Sequence, residues 1–269
     1  MNEHAEVPIQ FLSYEKYIWS LLTEADRCHI QGEIIGYEKS ERTGMDYPLY
    51  RLIVNPERQK TVCIIAGIHG NEIAGPLAIF DLITETKHVL PKEFRYIIYP
   101  VVNPTGYDLR QRYDDDERDL NAIYKDTLTS KNYREVQELC QDLMKFEPFE
   151  AVLTLHEDSD LEKFYMYGLG KQNMELYHEV CARALTFCPV WSNADIYGKQ
   201  SDELGLILSD ARDHAYDAFL YCSHETPIAC TLETPGKLNI DFRVHLMGEV
   251  VHTMLHQIEA QLRKTGRLE

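Results

Sequence analysis

Between Ser13 and Ala25 the apolar residues Tyr14, Tyr17, Ile18, Leu21, Leu22 and Ala25 keep i, i+3, i+4, i+7 spacing, and Ser13 is placed to cap the first turn. This predicts an amphipathic helix over about 13–26 that packs on the rest of the chain. The pattern then changes period. Gly32 to Tyr37 and Leu49 to Val54 are short strand-like runs on either side of a polar turn region, Ser40 to Asp46, and predict antiparallel strands ahead of a central one. From Val62 to Ile68 the chain is apolar without alternation, as in a strand covered on both faces.

A helix over Ile73 to Ile83 follows, with Pro76 near its first turn, where proline is tolerated. Phe94 to Val102 reads as a further buried strand, Asn132 to Phe146 as a helix, Ala151 to Leu155 as a strand, Phe164 to Tyr167 as a short strand and Lys171 to Leu185 as a helix. Ile228 to Leu232 is a last strand. From Asn239 the positions Leu246, Met247, Val250, Val251, Met254, Leu255 and Ile258 describe a closing helix. Residues 189–226 are aromatic and charged without a period and carry no assignment, while 103–130 form a polar stretch that predicts a long loop. Loops of that length in a compact domain are functional or disordered. No repeat or linker divides the 269 residues, so a single α/β domain over 1–269 is expected.

Composition narrows the function. Lys+Arg 27 against Asp+Glu 44 leaves a formal charge of -17, which argues against nucleic-acid or anionic-membrane partners. The seven cysteines form no C-x-x-C pair, and Cys63 and Cys230 sit in apolar strand runs, the pattern of reduced, buried thiols. Met1 to Glu6 is acidic, and no apolar run reaches the length of a signal-peptide core or a membrane span, so a cytoplasmic protein is expected.

Chemistry enters where the central strand runs into Gly67-Ile68-His69-Gly70-Asn71-Glu72. A histidine and a carboxylate three residues apart, just after a strand, can aim a ring nitrogen and an oxygen at one point, and zinc takes both donors at about 2.0–2.2 Å. Gly67 and Gly70 allow close backbone approach around the ring. Open α/β sheets place their sites at the carboxyl ends of strands. H-x-x-E alone also fits a solvated loop. His156, at the end of the Ala151–Leu155 strand, supplies the remote third ligand that catalytic zinc sites use, leaving the fourth position to water. Asp158 and Asp160 are candidates to orient an imidazole from behind. Glu233, a lone carboxylate closing an apolar run, suits proton transfer from a metal-activated water to a leaving amine. Residues 103–121 add Arg110, Arg112, Arg118 and Asn121 to an otherwise acidic chain.

H-x-x-E after a strand, Asn103-Pro104-Thr105-Gly106, an arginine, Asp119-Leu120-Asn121, a remote histidine after a strand and a late glutamate come in the order found in the zinc carboxypeptidase superfamily, which includes the aspartoacylase and succinylglutamate desuccinylase branch. From about Gly32 to the C-terminus the chain resembles that superfamily. The resemblance implies a three-layer α/β/α fold with a mixed, mostly parallel central sheet. It implies one zinc per chain on His69, Glu72 and His156, with Glu233 as general base, Arg112 polarising the scissile carbonyl and Asn121 holding a substrate carboxylate.

The superfamily usually continues D-L-N with arginine, and here that position is Ala122. A clamp from Arg110, Arg118 or Arg212, or a substrate without a terminal carboxylate there, is therefore expected. A late tyrosine near the substrate would be Tyr216 or Tyr221. The implied activity is hydrolysis of an amide bond in a small peptide or peptide-like substrate, carboxypeptidase-like, with an N-acyl-amino-acid deacylase as the alternative. Only 36 residues (269 − 233) follow Glu233, room for one helix but not for the extra C-terminal β domain of the deacylase branch. A metal-binding protein without catalysis is the reading from another class.

Two further clusters compete. His245, Glu249, His252 and His256 share one face of the closing helix, and His252/His256 has ligand spacing, but the opposite apolar face already explains the helix as an amphipathic one. Asp114-Asp115-Asp116-Glu117 reads as a solvated loop or as a recogniser of basic groups or a second cation.

Overall fold

In the computed structural model, residues 12–84, 89–121, 134–208, 216 and 225–268 are described. Helix α1 (Tyr14–Arg27) starts at Ser13, whose side chain accepts from the Lys16 N–H, and it buries Tyr14, Tyr17, Ile18, Leu21 and Ala25 as the spacing requires. Strands β1 (Gln31–Lys39) and β2 (Asp46–Val54) pair antiparallel. There follow β3 (Lys60–Ala66), α2 (Ala74–Ile83), β4 (Phe94–Tyr99), α3 (Pro104–Leu109), α4 (Arg134–Leu143), β5 (Phe149–Asp158), β6 (Tyr165–Leu169) and α5 (Met174–Leu185). A small hairpin, β7 (Asp195–Ile196) and β8 (Lys199–Gln200), precedes β9 (Leu206–Leu208), β10 (Ile228–Pro235) and the closing helix α6 (Ile240–Lys264).

The main sheet runs in the order β1-β2-β4-β3-β5-β10-β6-β9. Its centre, β4-β3-β5-β10, is parallel, and β2 and β6 join it antiparallel on either side. The unalternating run in β3 is explained by two cores. Val62, Ile64 and Ala66 pack in a cluster with residues of α1, α2, α5 and α6, while Cys63 and Ile65 face a second cluster that includes Val136, Leu139, Cys140 and Leu143 of α4. Helices on both faces of a mixed, mostly parallel sheet make the three layers that the sequence resemblance implied. The described cysteines form no disulfide, and all but Cys28 are buried.

Three expectations need correction. β5 runs on to Asp158 and β10 to Pro235, so His156 and Glu233 stand within strands rather than just after them. The stretch predicted as a loop from 103 begins with helix α3, which Asn103 caps by accepting from the Gly106 N–H. The unassigned region contains β7, β8 and β9, too short for any periodicity to show. The rest of the 103–130 stretch, from 122 on, lies outside the described residues.

Beneath the sheet edge is a buried ion network. Arg51, 4 % exposed, holds the buried Asp142 at 2.5 and 2.6 Å through Nη1; Asp142 also accepts from the Tyr99 hydroxyl at 2.9 Å. Breaking one side of such a pair strands a charge in a poorly solvated place. Asp142→Ala should therefore lower unfolding free energy by about 3–5 kcal/mol, read by chemical denaturation. A loss under about 1 kcal/mol, the range of exposed pairs, would show that Glu33, which also pairs with Arg51, is counter-charge enough.

Candidate metal centre

β3 ends at Ala66, and the chain turns at Gly67, whose φ of +62° is costly for any residue with a Cβ. The turn is fastened from the next crossover: Asn103 donates its backbone N–H to the Gly67 carbonyl at 2.8 Å and its side-chain amide to the carbonyls of Ile68 (3.2 Å) and Arg112 (3.3 Å). A Cβ on Gly70 would lie 1.8 Å from the Gly106 carbonyl carbon, so the His69 loop and α3 touch backbone to backbone. The Asn103-Pro104-Thr105-Gly106 motif is thus a fastener. It fixes the His69 loop and carries the backbone of Arg112.

On the far side of β3 the sheet register does the positioning. His156 of β5 pairs with Glu233 of β10, and Glu233 pairs with Tyr165 of β6. Register partners point to the same face, so these three side chains form a row across adjacent strands. One row lower, the Thr154 hydroxyl donates to Thr231 at 2.9 Å, and below that Val152 and Ala229 enter the apolar cluster under α4. The face is apolar at the base of the strands and polar at their carboxyl ends.

His69, Glu72 and His156 are 2 %, 4 % and 2 % exposed, and one donor atom from each lies within 4.8 Å of the others. The Nδ1 atoms of the two histidines are 3.2 Å apart, His69 Nδ1 is 2.6 Å from Glu72 Oε1, and His156 Nδ1 is 2.7 Å from Glu72 Oε2. The nitrogen separation is close to the edge of a tetrahedron with bonds of about 2.0–2.1 Å, and a two-histidine, one-carboxylate set is a known zinc donor set. The residues fit a metal ion. Asp119 Oδ1 lies 3.2 Å from His69 Nε2, the carboxylate-to-imidazole contact that directs the other ring nitrogen at a metal. His156 Nε2 is buried without a partner among the described residues.

Burial opposes charge at every group here, and neighbours decide the outcome. For Glu72, burial is outweighed by His156 and His69, which hold its pKa at about 2. Burial also opposes protonation of His69, but the Glu72 charge and the hydrogen bonds that Asp119 and Glu72 accept from the ring prevail, and its pKa lies above the ordinary 6.5. The Asp119 carboxyl, despite desolvation, is held well below the carboxylate range by His69 and Arg112. Glu233 goes the other way. Desolvation, with Glu72 and Asp158 adding to it against the pull of His156 and Arg112, pushes it up to about 8.

The structure distributes the remaining candidates as follows. Arg112 joins the cluster, with Nε 3.1 Å from Asp119 Oδ2 and Nη1 3.6 Å from Glu72 Oε1. Asn121 donates its backbone N–H to Asp119 at 3.0 Å, and its side-chain oxygen is buried without a partner among the described residues. Arg110 stacks over the Tyr107 ring at 4.2 Å and donates to the Leu12 carbonyl at 2.9 Å, so this guanidinium is drawn toward α1. Arg118 binds Asp114, fully buried, through Nε at 2.5 Å, and the backbone N–H groups of Asp116 and Arg118 also donate to that carboxylate. At Asp114 the acidic run is therefore a loop organiser, not a solvated stretch. Tyr216 is fully buried in the apolar cluster with Val152, Leu169 and Ala229. Arg212, Tyr221 and Ala122 lie outside the described residues. His252 and His256 meet on α6, Nε2 to Nε2, at 3.0 Å.

Asp158 and Asp160, candidates to orient an imidazole, are placed differently. Asp158 accepts from the hydroxyls of Tyr165 and Tyr197 and from the Asp160 N–H, and Asp119 is the carboxylate at His69. Asp119 was in plain sight as the first residue of D-L-N, but only the fold shows what it touches. Glu157 was also missed. It points to the opposite face from His156, accepts from the Ala74 N–H at 2.8 Å and pairs with Arg243 at 2.5 Å, and so joins β5, α2 and α6 behind the ligands.

The sheet order is that of a metallocarboxypeptidase-like fold. A candidate metallopeptidase from Shewanella amazonensis matches it with a TM-score of 0.79 at 20% identity, over 96% of this chain and 97% of its own. A metallo-carboxypeptidase from Burkholderia cenocepacia matches at 0.68 and 15% identity over 93% and 70%. The bovine thrombin-activatable fibrinolysis inhibitor, in complex with tick carboxypeptidase inhibitor, matches at 0.66 and 17% identity over 96% and 99%. No curated protein matches the sequence. Residues 58–196 match the succinylglutamate desuccinylase/aspartoacylase catalytic domain, and the chain belongs to that family.

A metal ion entering this cluster competes with protons for the His69 ring nitrogen. Because that pKa is raised above 6.5, metal affinity should climb as pH rises through and beyond this value. Calorimetric titration with zinc in buffers of different ionisation enthalpy should show proton release that shrinks toward alkaline pH. Without metal the sign reverses for stability: the His69 contribution is present below 6.5 and fades as pH rises through the folded value. Zinc affinity that stays flat between pH 6 and 8 would refute this account.

Proposed function

We propose that the protein is a zinc-dependent amide hydrolase with one zinc per chain on His69, Glu72 and His156, acting on a small acyl- or peptidyl-amino acid. The observation that carries this reading is the convergence of three buried donors, with Glu233 in register beside His156. Zinc bound there supplies Lewis acidity and lowers the pKa of a water toward about 7. Glu233, in register beside His156, is suited to accept that water's proton and return it to the leaving nitrogen. Arg112, steered by Asp119, is the guanidinium beside Glu72 and is assigned to the scissile carbonyl oxygen, where charge builds as the tetrahedral species forms. Asn121, tied to the same Asp119, offers its amide to the substrate's carboxylate end.

Within that reading, deacylation of an N-acyl amino acid is favoured by the family to which the chain belongs. Arg110 and Arg118 are held on Leu12 and Asp114, so under either reading neither evidently replaces the arginine absent at 122. Carboxypeptidase-like trimming of a peptide is the second reading, suggested by the fold shared with a metallo-carboxypeptidase.

The purified zinc form should be assayed against N-acyl amino acids, C-terminal dipeptides and γ-glutamyl peptides, each as free acid and as amide. Turnover of the N-acyl amino acids is expected; cleavage of dipeptides alone would move the assignment to the peptidase reading. Glu233→Gln should keep its fold and zinc and lose at least about 10²-fold in turnover. Arg112→Ala should depress kcat by about 10²–10³-fold, the worth of one positioned donor at a developing oxyanion. Near-normal kcat in either variant would remove that residue from the mechanism.

A further inference from the structure

The row of side chains that contains His156 and Glu233 continues to Tyr165, and Tyr165 leads to a part of the molecule that the catalytic reading leaves unused. The Tyr165 hydroxyl donates to Asp158 Oδ2 at 2.9 Å, and so does the hydroxyl of Tyr197, at 3.1 Å. Tyr197 belongs to the tip of the β7–β8 hairpin, whose register pairs Ile196 with Lys199 and leaves Tyr197-Gly198 as a two-residue turn. Both turn residues have positive φ, +51° and +82°, which defines a turn built for Asn-Gly or Asp-Gly. A bulky side chain in this conformation is a local strain. The neighbouring contacts are well made: Ile196 is buried against Tyr165 and Ile207, and the Gly198 N–H bonds Asp195 at 3.0 Å. The turn is sound, and only its first residue breaks the rule.

Tyr197 is also 73 % exposed although its hydroxyl is tied to a buried carboxylate. Its ring therefore lies open to solvent at the carboxyl ends of β5 and β10. Desolvation of the hydroxyl and the charges of Asp158, Asp160 and Glu233 push its pKa up to about 12, so the tip shares the field of the Glu233 site. The cationic and amide groups, Arg112 and Asn121, lie with Asp119 on the His69 side of the centre, and Tyr197 lies on the Glu233 side.

We propose that Tyr197 is a specificity-determining residue, a latched aromatic wall that packs on the acyl portion of a substrate whose carboxylate end faces Arg112 and Asn121. This rests on the amide-hydrolase reading above. The hydroxyl's bond to Asp158 holds the hairpin down, and the exposed ring is the surface offered to planar or apolar acyl groups.

Tyr197→Ala and Tyr197→Phe separate the two parts. With N-acetyl and N-benzoyl forms of one amino acid, Tyr197→Ala should raise the benzoyl-to-acetyl KM ratio by about tenfold, the scale of a lost aromatic contact. Tyr197→Phe should leave that ratio within about threefold of the unmodified enzyme, yet speed amide hydrogen exchange over residues 195–200 by about tenfold, as the loss of one hydrogen bond to a carboxylate allows. If the zinc form hydrolyses neither substrate, the amide-hydrolase reading fails by itself. The relative affinities of benzohydroxamate and acetohydroxamate for the zinc form, measured by calorimetry, then decide the aromatic wall. An unchanged benzoyl-to-acetyl ratio in Tyr197→Ala overturns the proposal. So does unchanged exchange in Tyr197→Phe, a measurement that needs neither metal nor ligand.

Discussion

The candidate site depends on one constraint, the register of β5 against its neighbours. Parallel pairing with β3 brings Ala66 beside Leu155, and pairing with β10 brings His156 beside Glu233, so three carboxyl ends finish at nearly one level. A shift of one residue in the β5–β10 pairing would keep every backbone hydrogen bond available but turn His156 or Glu233 to the face of Leu155 and Leu232. The apolar residues below hold the register. Ala151, Leu153, Ile228 and Cys230 enter one core and Val152 and Ala229 the other, and both cores would have to be unpacked for a slip. The polar row is thus kept in place by burial of its apolar neighbours rather than by its own contacts.

Such a row is unfavourable for folding and useful for chemistry. Two histidines and two carboxyls are desolvated together, and the cluster settles by splitting its protons: Glu72 ionised at about 2, Glu233 pushed to about 8, His69 inclined to hold a proton. Behind the candidate ligands, Glu157 with Arg243 and Asp119 with Arg112 form hydrogen-bonded ion pairs. These pairs also tie α2, α6 and the 103–121 segment to the sheet, and the candidate metal centre and the fold therefore share the same fastenings.

The periodicity of α1, the unbroken apolar run of β3 and the apolar stripe of α6 were legible because each is long enough for burial on a fixed face to leave a repeating mark. His69, Glu72, His156 and Glu233 were legible because a polar group at the end of an apolar strand has few structural reasons to be there. The strand ends were read short at Leu155 and Leu232 for the same reason: polar side chains at 156–158 and 233–235 look like loop when the face they occupy cannot be seen.

What the sequence by itself determined, then, is the longer elements, the two-sided burial of the central strand and the candidate residues His69, Glu72 and His156 that the fold brings together, all of which follow from local pattern and side-chain chemistry. What only the tertiary structure decided is partnership. Asp119 rather than Asp158 stands behind His69, Arg118 is taken by Asp114, Arg110 by Leu12, and a hairpin too short to show any period sets Tyr197 on Asp158. Each of these joins residues whose meeting depends on how strands register and crossovers fasten, and a charged or aromatic side chain in a loop has several chemically equal partners until packing removes all but one.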